Sequence, residues 1–229
     1  MVTGWRPPKK ISEYLTPGDV NLILSAIPKD RDKLFFRTLW QTGARVSEVN
    51  TLFVDNVDKK NNCILLRNLK QDKRKSDGKD EKGRSIFLTA KKEPRLKRIY
   101  LPSGSTLCED ILSYCKENNL TEMVFPGIRD KRKPLSPVYI WRLLSEKNKG
   151  VAWKLGIRRK KIDRMSSREE NKAAWPHLLR HARAMWILKQ TGRFDVVKEQ
   201  LGHSSVMSTE EYAGLADEDR KNIVGGMSD

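Results

Sequence analysis

Apolar residues recur at helical intervals in two stretches of the chain, one before residue 54 and one after residue 102. Thr16, Pro17 and Asp19 have the spacing of a capped helix start, because threonine caps the backbone three positions on and proline fits the first turn. The apolar spacing that follows predicts a helix from this cap to residue 27. Further helices are predicted over residues 34–41, 47–53, 107–116, 138–144, 177–190 and 195–201, with Gly43 as an interruption and Gly192 and Gly202 as C-terminal caps.

Between these stretches the pattern becomes that of β-strands. Residues 63–69, 85–89 and 98–101 are apolar and β-prone, so they predict three short strands. Residues 70–84 are almost all charged or glycine, and they predict a loop with too little apolar surface to order itself. Residues 163–172 predict a second charged connector. The expected fold is therefore α+β, mainly α, with a small three-stranded antiparallel sheet.

Charge narrows the range of functions. The chain of 229 residues carries 46 Lys and Arg against 29 Asp and Glu, a formal net charge of +17. An excess of this size favours binding to nucleic acid phosphate. No apolar run approaches the roughly 20 residues that span a bilayer, and no hydrophobic stretch follows the basic start as in a secretory signal. We therefore expect a cytoplasmic protein that binds no membrane, with its three cysteines reduced and Cys108 and Cys115 on one buried helix face.

The residues suited to chemistry lie in the last quarter of the chain, where all the histidines are found. His177 and Arg180 are three positions apart, so they share one face of a predicted helix. His203 directly follows the helix stop at Gly202, which leaves its ring able to reach into a cleft. Tyr212 comes nine residues after His203, just inside a short helix that a capping-box spacing predicts.

A zinc site is one interpretation of the same histidines. His177 and His181 are four positions apart, a spacing that holds zinc from one helix face, and His203 would be the third ligand. However, Leu178 stands where a zinc protease of this pattern has glutamate, and Arg180 would place a cation beside the metal. We therefore predict neither a metal nor another cofactor.

The chain resembles the tyrosine recombinases, the phage-integrase type. Residues 42–48 read Thr-Gly-Ala-Arg-Val-Ser-Glu, which is similar to the first signature block of that family. The second block is present as His-x-x-Arg-His over residues 177–181, Leu-Gly-His over 201–203, and a tyrosine at 212. Residues 14–17 are similar to the usual opening of the family's catalytic domain. The blocks occur in the family's order and spacing.

The resemblance implies a catalytic set and a reaction. Tyr212 would be the nucleophile, His177 would help accept its proton, and His203 would donate to a phosphate oxygen. Arg45 and Arg180 would bind the non-bridging oxygens, as planar guanidinium groups do well. The implied product is a 3′-phosphotyrosyl link formed without metal or ATP. A tyrosine needs such help because its phenol, with a pKa of about 10, is a weak nucleophile while protonated.

The resemblance also implies a lysine that protonates the leaving 5′-oxygen. In the family it lies in the turn before the strand that ends in an apolar-Pro pair, here Leu101-Pro102. Counting back from this pair favours Lys91. Its neighbour Lys92 and the more distant Lys70 remain alternatives.

Further expectations concern organisation and partners. Residues 1–12 are predicted to be a basic tail and 13–229 the catalytic domain, with a charged insertion at 70–84 and a C-terminal tail at 213–229. The family implies double-stranded DNA as substrate and four protomers on two sites, for integration or excision of a mobile element, with the tail docking on a neighbour. Family members often carry a preceding DNA-binding domain, so the chain is expected to be a fragment or a short form. A type IB topoisomerase and a non-catalytic DNA-binding protein of the same fold are the alternatives.

Overall fold

The computed structural model describes residues 15–67, 78–79, 85–86, 96–147, 149–162, 169–173 and 176–201. The chain divides into two compact units, the first formed by Met1–Arg45 and Ser136–Asp229 and the second by Val46–Leu135. The helices are α1 (Pro17–Ala26), α2 (Asp30–Thr42), α3 (Val46–Asn50), α4 (Leu107–Glu117), α5 (Pro137–Ser145), α6 (Val151–Lys154), α7 (Pro176–Thr191) and α8 (Phe194–Leu201). The strands are β1 (Val57–Asp58), β2 (Cys63–Arg67), β3 (Gly78–Lys79), β4 (Ser85–Ile86), β5 (Leu96–Tyr100), β6 (Arg158–Ile162) and β7 (Glu169–Ala173).

Helix α1 begins at the predicted cap. The Thr16 hydroxyl accepts a hydrogen bond from the Asp19 amide at 3.2 Å, and the Asp19 carboxylate accepts one from the Thr16 amide at 2.8 Å. This reciprocal pair satisfies two amides that a helix start otherwise leaves without partners. The apolar face of α1, with Val20 and Ile23 fully buried, then packs against α2 and α6.

Helices α2 and α7 form the centre of the first unit. They pack on each other, and α8 packs on α7. Phe35, Phe36 and Leu39 of α2 are buried, as are most residues of α7. Each large apolar side chain buried in this way stabilises the fold by roughly 1.5–3 kcal/mol. Helix α7 ends at Gly192 with a φ of +64°, the left-handed cap that the sequence predicted.

One carboxylate of the first unit is buried together with its partners. Asp32, on α2, accepts hydrogen bonds from the Arg31 guanidinium at 2.7 Å and from the Tyr139 hydroxyl at 2.5 Å. The arginine supplies the opposite charge and the tyrosine a second donor, so both carboxylate oxygens are satisfied. This group ties the start of α2 to α5.

The second unit contains an antiparallel sheet with the strand order β1-β2-β5. Ile64 pairs with Val57 on one side and with Ile99 on the other, while Arg67 pairs with Leu96. Helix α4 packs on the sheet through Cys108, whose thiol donates to the Cys63 carbonyl at 3.7 Å. Burial raises the pKa of both Cys108 and Cys115 to about 11, and both lie on the buried face, as predicted. The α+β fold, mainly helical with a three-stranded antiparallel sheet, is confirmed.

The membership of this sheet differs from the prediction. The predicted strands at 63–69 and 98–101 form β2 and β5, but the segment at 85–89 contributes β4, which pairs with β3 instead. The third member of the sheet is β1, which has two residues and is too short to show an alternating pattern. The predicted loop at 70–84 therefore contains strand β3.

The predicted connector at 163–172 also differs. Strands β6 and β7 form an antiparallel hairpin in which Arg158 pairs with Ala173 and Ile162 with Glu169. A hairpin ladder is built from backbone hydrogen bonds, so charged residues can form it without an apolar face. The predicted helix at 47–53 is shorter than expected, since α3 ends at Asn50 and a 3₁₀ turn, Val54–Asn56, follows.

Candidate active site

The turn that ends α2 is built around a glycine. Gly43 has a φ of +62°, in the left-handed region where a side chain is strained. A Cβ placed on Gly43 would overlap Leu201 Cδ2 and would lie 3.2 Å from Arg183 Cγ. Both the backbone conformation and the close approach of α7 and α8 therefore require glycine here. Residues 43–45, called the Gly43 turn below, place Arg45 two positions later.

Arg180 fastens α7 to this turn. Its Nη1 donates to the Gly43 carbonyl at 2.7 Å, and its Nη2 donates to the Leu201 carbonyl at 2.8 Å. The side chain is 3% exposed, so protein dipoles take the place of water around the cation. These two bonds use two of the five N–H groups of a guanidinium. They bring together the ends of α2 and α8 and one turn of α7, which lie up to 137 residues apart in sequence.

His177 lies at the exposed start of α7, and its ring meets that of His181 edge to face at 4.8 Å between centroids. Desolvation, followed by repulsion from His181, Arg180 and Arg45, lowers the pKa of His177 to about 4. Because the His177 side chain is exposed, it keeps part of its hydration, and desolvation alone accounts for less of the shift. Repulsion by the neighbouring cations also lowers the pKa. The imidazole is therefore neutral at pH 7 and has a nitrogen that can accept a proton.

The structure brings three of the predicted site residues into one region. Arg180 binds the Gly43 turn that contains Arg45, and both arginines act electrostatically on His177. Arg45 is half-buried. The remaining predicted residues lie outside the described part of the chain, and their assignments stay predictions: Lys91, with its alternatives Lys70 and Lys92, and His203 and Tyr212.

The lysine candidates share one connection, and the histidine follows a described residue. All three lysines fall in the segment 68–95, between β2 and β5. His203 follows Leu201 by two positions, and the Leu201 carbonyl accepts a bond from Arg180.

Arg183 is a residue at this site that the sequence analysis missed. It lies on α7 one turn after Arg180, is 5% exposed, and contacts the Gly43 turn. Its only signal in the sequence is its position within the motif-bearing helix, because arginine is ordinarily a surface residue.

Two features of the described residues bear on other functions. Among them there is no group of three or more His, Cys, Asp or Glu side chains arranged to hold a metal ion. His203 lies outside those residues, so they do not include the full predicted zinc triad. Within the same part of the chain, no helix has the length and apolar character needed to cross a membrane.

Relatives of known name match most of the chain. The tyrosine recombinase XerA of Thermococcus onnurineus is 29% identical over 209 residues, covering 90% of this chain and 59% of that protein. The tyrosine recombinase XerA of Pyrococcus furiosus is 26% identical over 221 residues, covering 95% of this chain and 62% of that protein. The chain thus spans about three fifths of the length of these relatives.

Solved structures with the same fold agree. A crystal structure of XerA recombinase matches 99% of this chain and 68% of its own, with a TM-score of 0.64 and 19% identity. A crystal structure of the XerH recombinase bound to a palindromic difH substrate matches 95% of this chain and 54% of its own, also with a TM-score of 0.64. A model of the family described as "Phage integrase family" matches residues 13–219, and this chain therefore belongs to the phage integrase family.

Proposed function

We propose that this protein cuts and rejoins DNA as a site-specific tyrosine recombinase, with Tyr212 as the nucleophile. The observation that carries the proposal is the hydrogen bond from Arg180 to the Gly43 carbonyl, at 2.7 Å. It joins the two motif blocks, each of which contributes one of the proposed phosphate-binding arginines. Family membership supports the same reaction.

In the proposed step, the Tyr212 oxygen attacks the scissile phosphorus, and its O–P bond forms as the bond to the 5′-oxygen breaks. His177 takes the phenol proton, and Lys91 supplies a proton to the leaving 5′-oxygen. Arg45 and Arg180 hold the two non-bridging oxygens, where negative charge builds up. The 5′-hydroxyl of a DNA strand reverses these events, so rejoining needs no external energy source.

The anchoring of Arg180 suits this role. A guanidinium held by two carbonyls is already oriented before DNA arrives, so little reorganisation is needed as the transition state forms. By analogy with oxyanion-hole donors, one such group contributes roughly 3 kcal/mol to transition-state stabilisation, or about 100-fold in rate. His203, two residues after Leu201, would add a further donor to the phosphate.

The partner we propose is double-stranded DNA, which the net charge of +17 favours. We further propose that four protomers assemble on two DNA sites, with the tail at 213–229 docking on a neighbour. This arrangement is carried over from the family. A protein with this substrate would work in the cytoplasm.

A covalent-trapping experiment tests the proposal. A binding site is first selected from random duplexes, and a nicked suicide duplex that contains it is then incubated with the protein. The wild-type protein should form a DNA adduct that resists SDS. Tyr212→Phe should form none while it binds the duplex with the same affinity. An adduct of unchanged yield in Tyr212→Phe would show that another residue is the nucleophile.

The general acid is tested with the same substrate. Lys91→Ala, Lys70→Ala and Lys92→Ala are compared on a normal duplex and on one with sulfur as the leaving 5′-atom. Sulfur leaves without a proton, so it should restore cleavage only to the variant that lacks the acid. Rescue of Lys70→Ala or Lys92→Ala instead of Lys91→Ala would move the assignment.

A further inference from the structure

Arg183 is a buried cation flanked by aromatic rings. Its guanidinium carbon lies 4.4 Å from the centre of the Trp186 ring and 5.8 Å from that of Trp40. Its Nε atom is buried, and among the described residues it has no hydrogen-bond partner. Burial lowers the pKa of Arg183 to about 10, so it is still a cation at pH 7.

This environment is unfavourable for stability alone. Removing a cation from water has a large cost in free energy, even after the protein relaxes around it. A desolvated cation–π contact offsets only part of this cost, and among the described residues the buried Nε–H has no hydrogen-bond partner that would offset more. A methionine of similar length would fill the same space without this cost. A buried group that breaks the local rules of stability is most often found where function requires it.

The position of Arg183 shows what that function is. Its Cγ would lie only 3.2 Å from a Cβ on Gly43, so its side chain lies against the Gly43 turn. Trp40 precedes Gly43 by one helical turn on α2, and Trp186 follows Arg183 by one turn on α7. The guanidinium contacts both rings and therefore connects the last turn of α2 to α7. That last turn ends in the carbonyl that receives Arg180.

We propose that Arg183 is a positioning residue, whose guanidinium, held against the Trp40 and Trp186 rings, keeps the Gly43 turn where the Gly43 carbonyl orients Arg180. The expected effect of Arg183 on the cleavage rate rests on the proposed function, whereas its expected effect on the orientation of Arg180 does not. Arg183 acts through Arg180, so its effect on catalysis depends on Arg180 being present.

A double-mutant cycle tests this dependence. Single-turnover cleavage of the suicide duplex is measured at saturating DNA for the wild-type protein, Arg183→Met, Arg180→Ala and the double variant. Arg183→Met should lower the cleavage rate constant by roughly 10- to 100-fold, the effect of a misplacement of about 1 Å. It should change the Kd for DNA less than about twofold, and in the Arg180→Ala background it should change the rate less than about twofold. Equal effects in both backgrounds would overturn the proposal.

Two further variants separate stacking from charge. Arg183→Lys keeps a cation but loses the planar group, so it should be as slow as Arg183→Met. A wild-type rate in Arg183→Lys would contradict positioning by stacking. Arg193→Met is the matched control, because Arg193 is exposed in the connection between α7 and α8 and pairs with Asp195, and the cleavage rate of this variant should equal that of the wild type.

A second measurement does not depend on activity. The guanidinium protons of Arg180 are followed by NMR, and hydrogen bonds to the Gly43 and Leu201 carbonyls should protect them from exchange with water. Arg183→Met should remove this protection while the amide signals of α7 still report a folded helix. If Arg180 stays protected in Arg183→Met, the positioning role is wrong. If the wild-type protein forms no adduct, the proposed function fails, and the NMR result still decides the role of Arg183.

Discussion

Two sets of buried charges, one in each unit, are held by different kinds of partner. In the second unit, Glu48 is 1% exposed, and Lys97, 12% exposed, lies 2.8 Å from its carboxylate. In the first unit, main-chain carbonyls hold Arg180, and indole rings flank Arg183. The Glu48–Lys97 pair cancels its own charge. The carbonyls and rings are neutral, so these contacts hold a guanidinium without adding an opposite charge.

The difference separates a structural role from a functional one. A neutralised pair fixes its surroundings and has little further attraction for an anion. Cations held by neutral groups keep their charge, and in a water-poor environment they interact strongly with a phosphate. We therefore expect substitutions in the Glu48–Lys97 pair to act mainly on stability, and substitutions around the Gly43 turn to act mainly on DNA cleavage.

The largest expected effect is the loss of stability when the Glu48–Lys97 pair is broken. Glu48→Ala leaves Lys97 buried without its carboxylate, so the free energy of unfolding should fall by roughly 3–5 kcal/mol. Urea denaturation measures this value. Glu109→Ala is the control, because the Glu109–Lys59 pair is exposed, and it should change the free energy by less than about 1 kcal/mol. Equal losses in the two variants would mean that burial does not distinguish these pairs.

Arg180→Ala should have the next largest effect, and this effect should be on the rate of DNA cleavage. Loss of an oriented guanidinium should lower the single-turnover cleavage rate by roughly 100- to 1000-fold. Arg180→Lys should recover little of this, since an ammonium cannot reproduce the planar fork that reaches two carbonyls. A rate within about threefold of wild type for Arg180→Ala would show that the cluster around the Gly43 turn is structural only.

Gly43→Ala should have a smaller effect in free energy than the two variants above, and it should lower both stability and the rate of DNA cleavage. The left-handed backbone and the overlap with Leu201 should together lower the free energy of unfolding by roughly 1–3 kcal/mol. Cleavage should fall as well, since the carbonyl that orients Arg180 must move. Gly192→Ala has a similar φ of +64° but no neighbour within 4 Å of the added Cβ, so it isolates the backbone part. If both variants lose the same stability, close packing at Gly43 has no energetic weight.

The pKa of His177 responds to its desolvation and to the cations around it. It is lowered to about 4, below the ordinary value of about 6.5 for an unfolded chain. Between these values the unfolded chain binds more protons, so this residue makes stability fall as pH falls from about 6.5 towards 4. A bound phosphodiester is an anion and should raise the pKa of His177. NMR titration of the imidazole with and without the selected DNA measures the shift, and a lower pKa in the complex would contradict phosphate binding here.

The hairpin should have the smallest effect. Strand β6 contains four consecutive basic residues, Arg158 to Lys161, and its hairpin partner β7 precedes the motif-bearing helix α7. Replacing Arg159 and Lys161 with serine should weaken DNA binding at all sequences alike. The log–log slope of affinity against salt should fall by about 0.9 for each phosphate that is no longer neutralised. As the control, Arg159→Lys combined with Lys161→Arg keeps both charges, so the salt slope should stay unchanged. If the serine variant also keeps the wild-type slope, the hairpin does not contact DNA.

Much of the fold and part of the site could be predicted from local sequence. The capping box at Thr16, the left-handed cap at Gly192 and the apolar periodicity depend on residues within one or two turns of each other, so the sequence shows them directly. The motif spacing likewise selected Arg45, His177 and Arg180, which the structure brings into one region. The assignments of Lys91, His203 and Tyr212 stay predictions.

By itself the sequence determined the approximate positions of seven of the eight helices in the described part of the chain, that the chain is strongly basic, and which residues form the two motif blocks; it did not predict the short helix α6. Only the tertiary structure decided that Arg183 is buried between Trp40 and Trp186, that Lys97 pairs with Glu48, and that β1 rather than β4 completes the sheet. The physical reason is the distance along the chain over which each interaction acts. Capping and periodicity act between near neighbours, whereas the burial of a charge or the pairing of a strand depends on distant segments that pack against it.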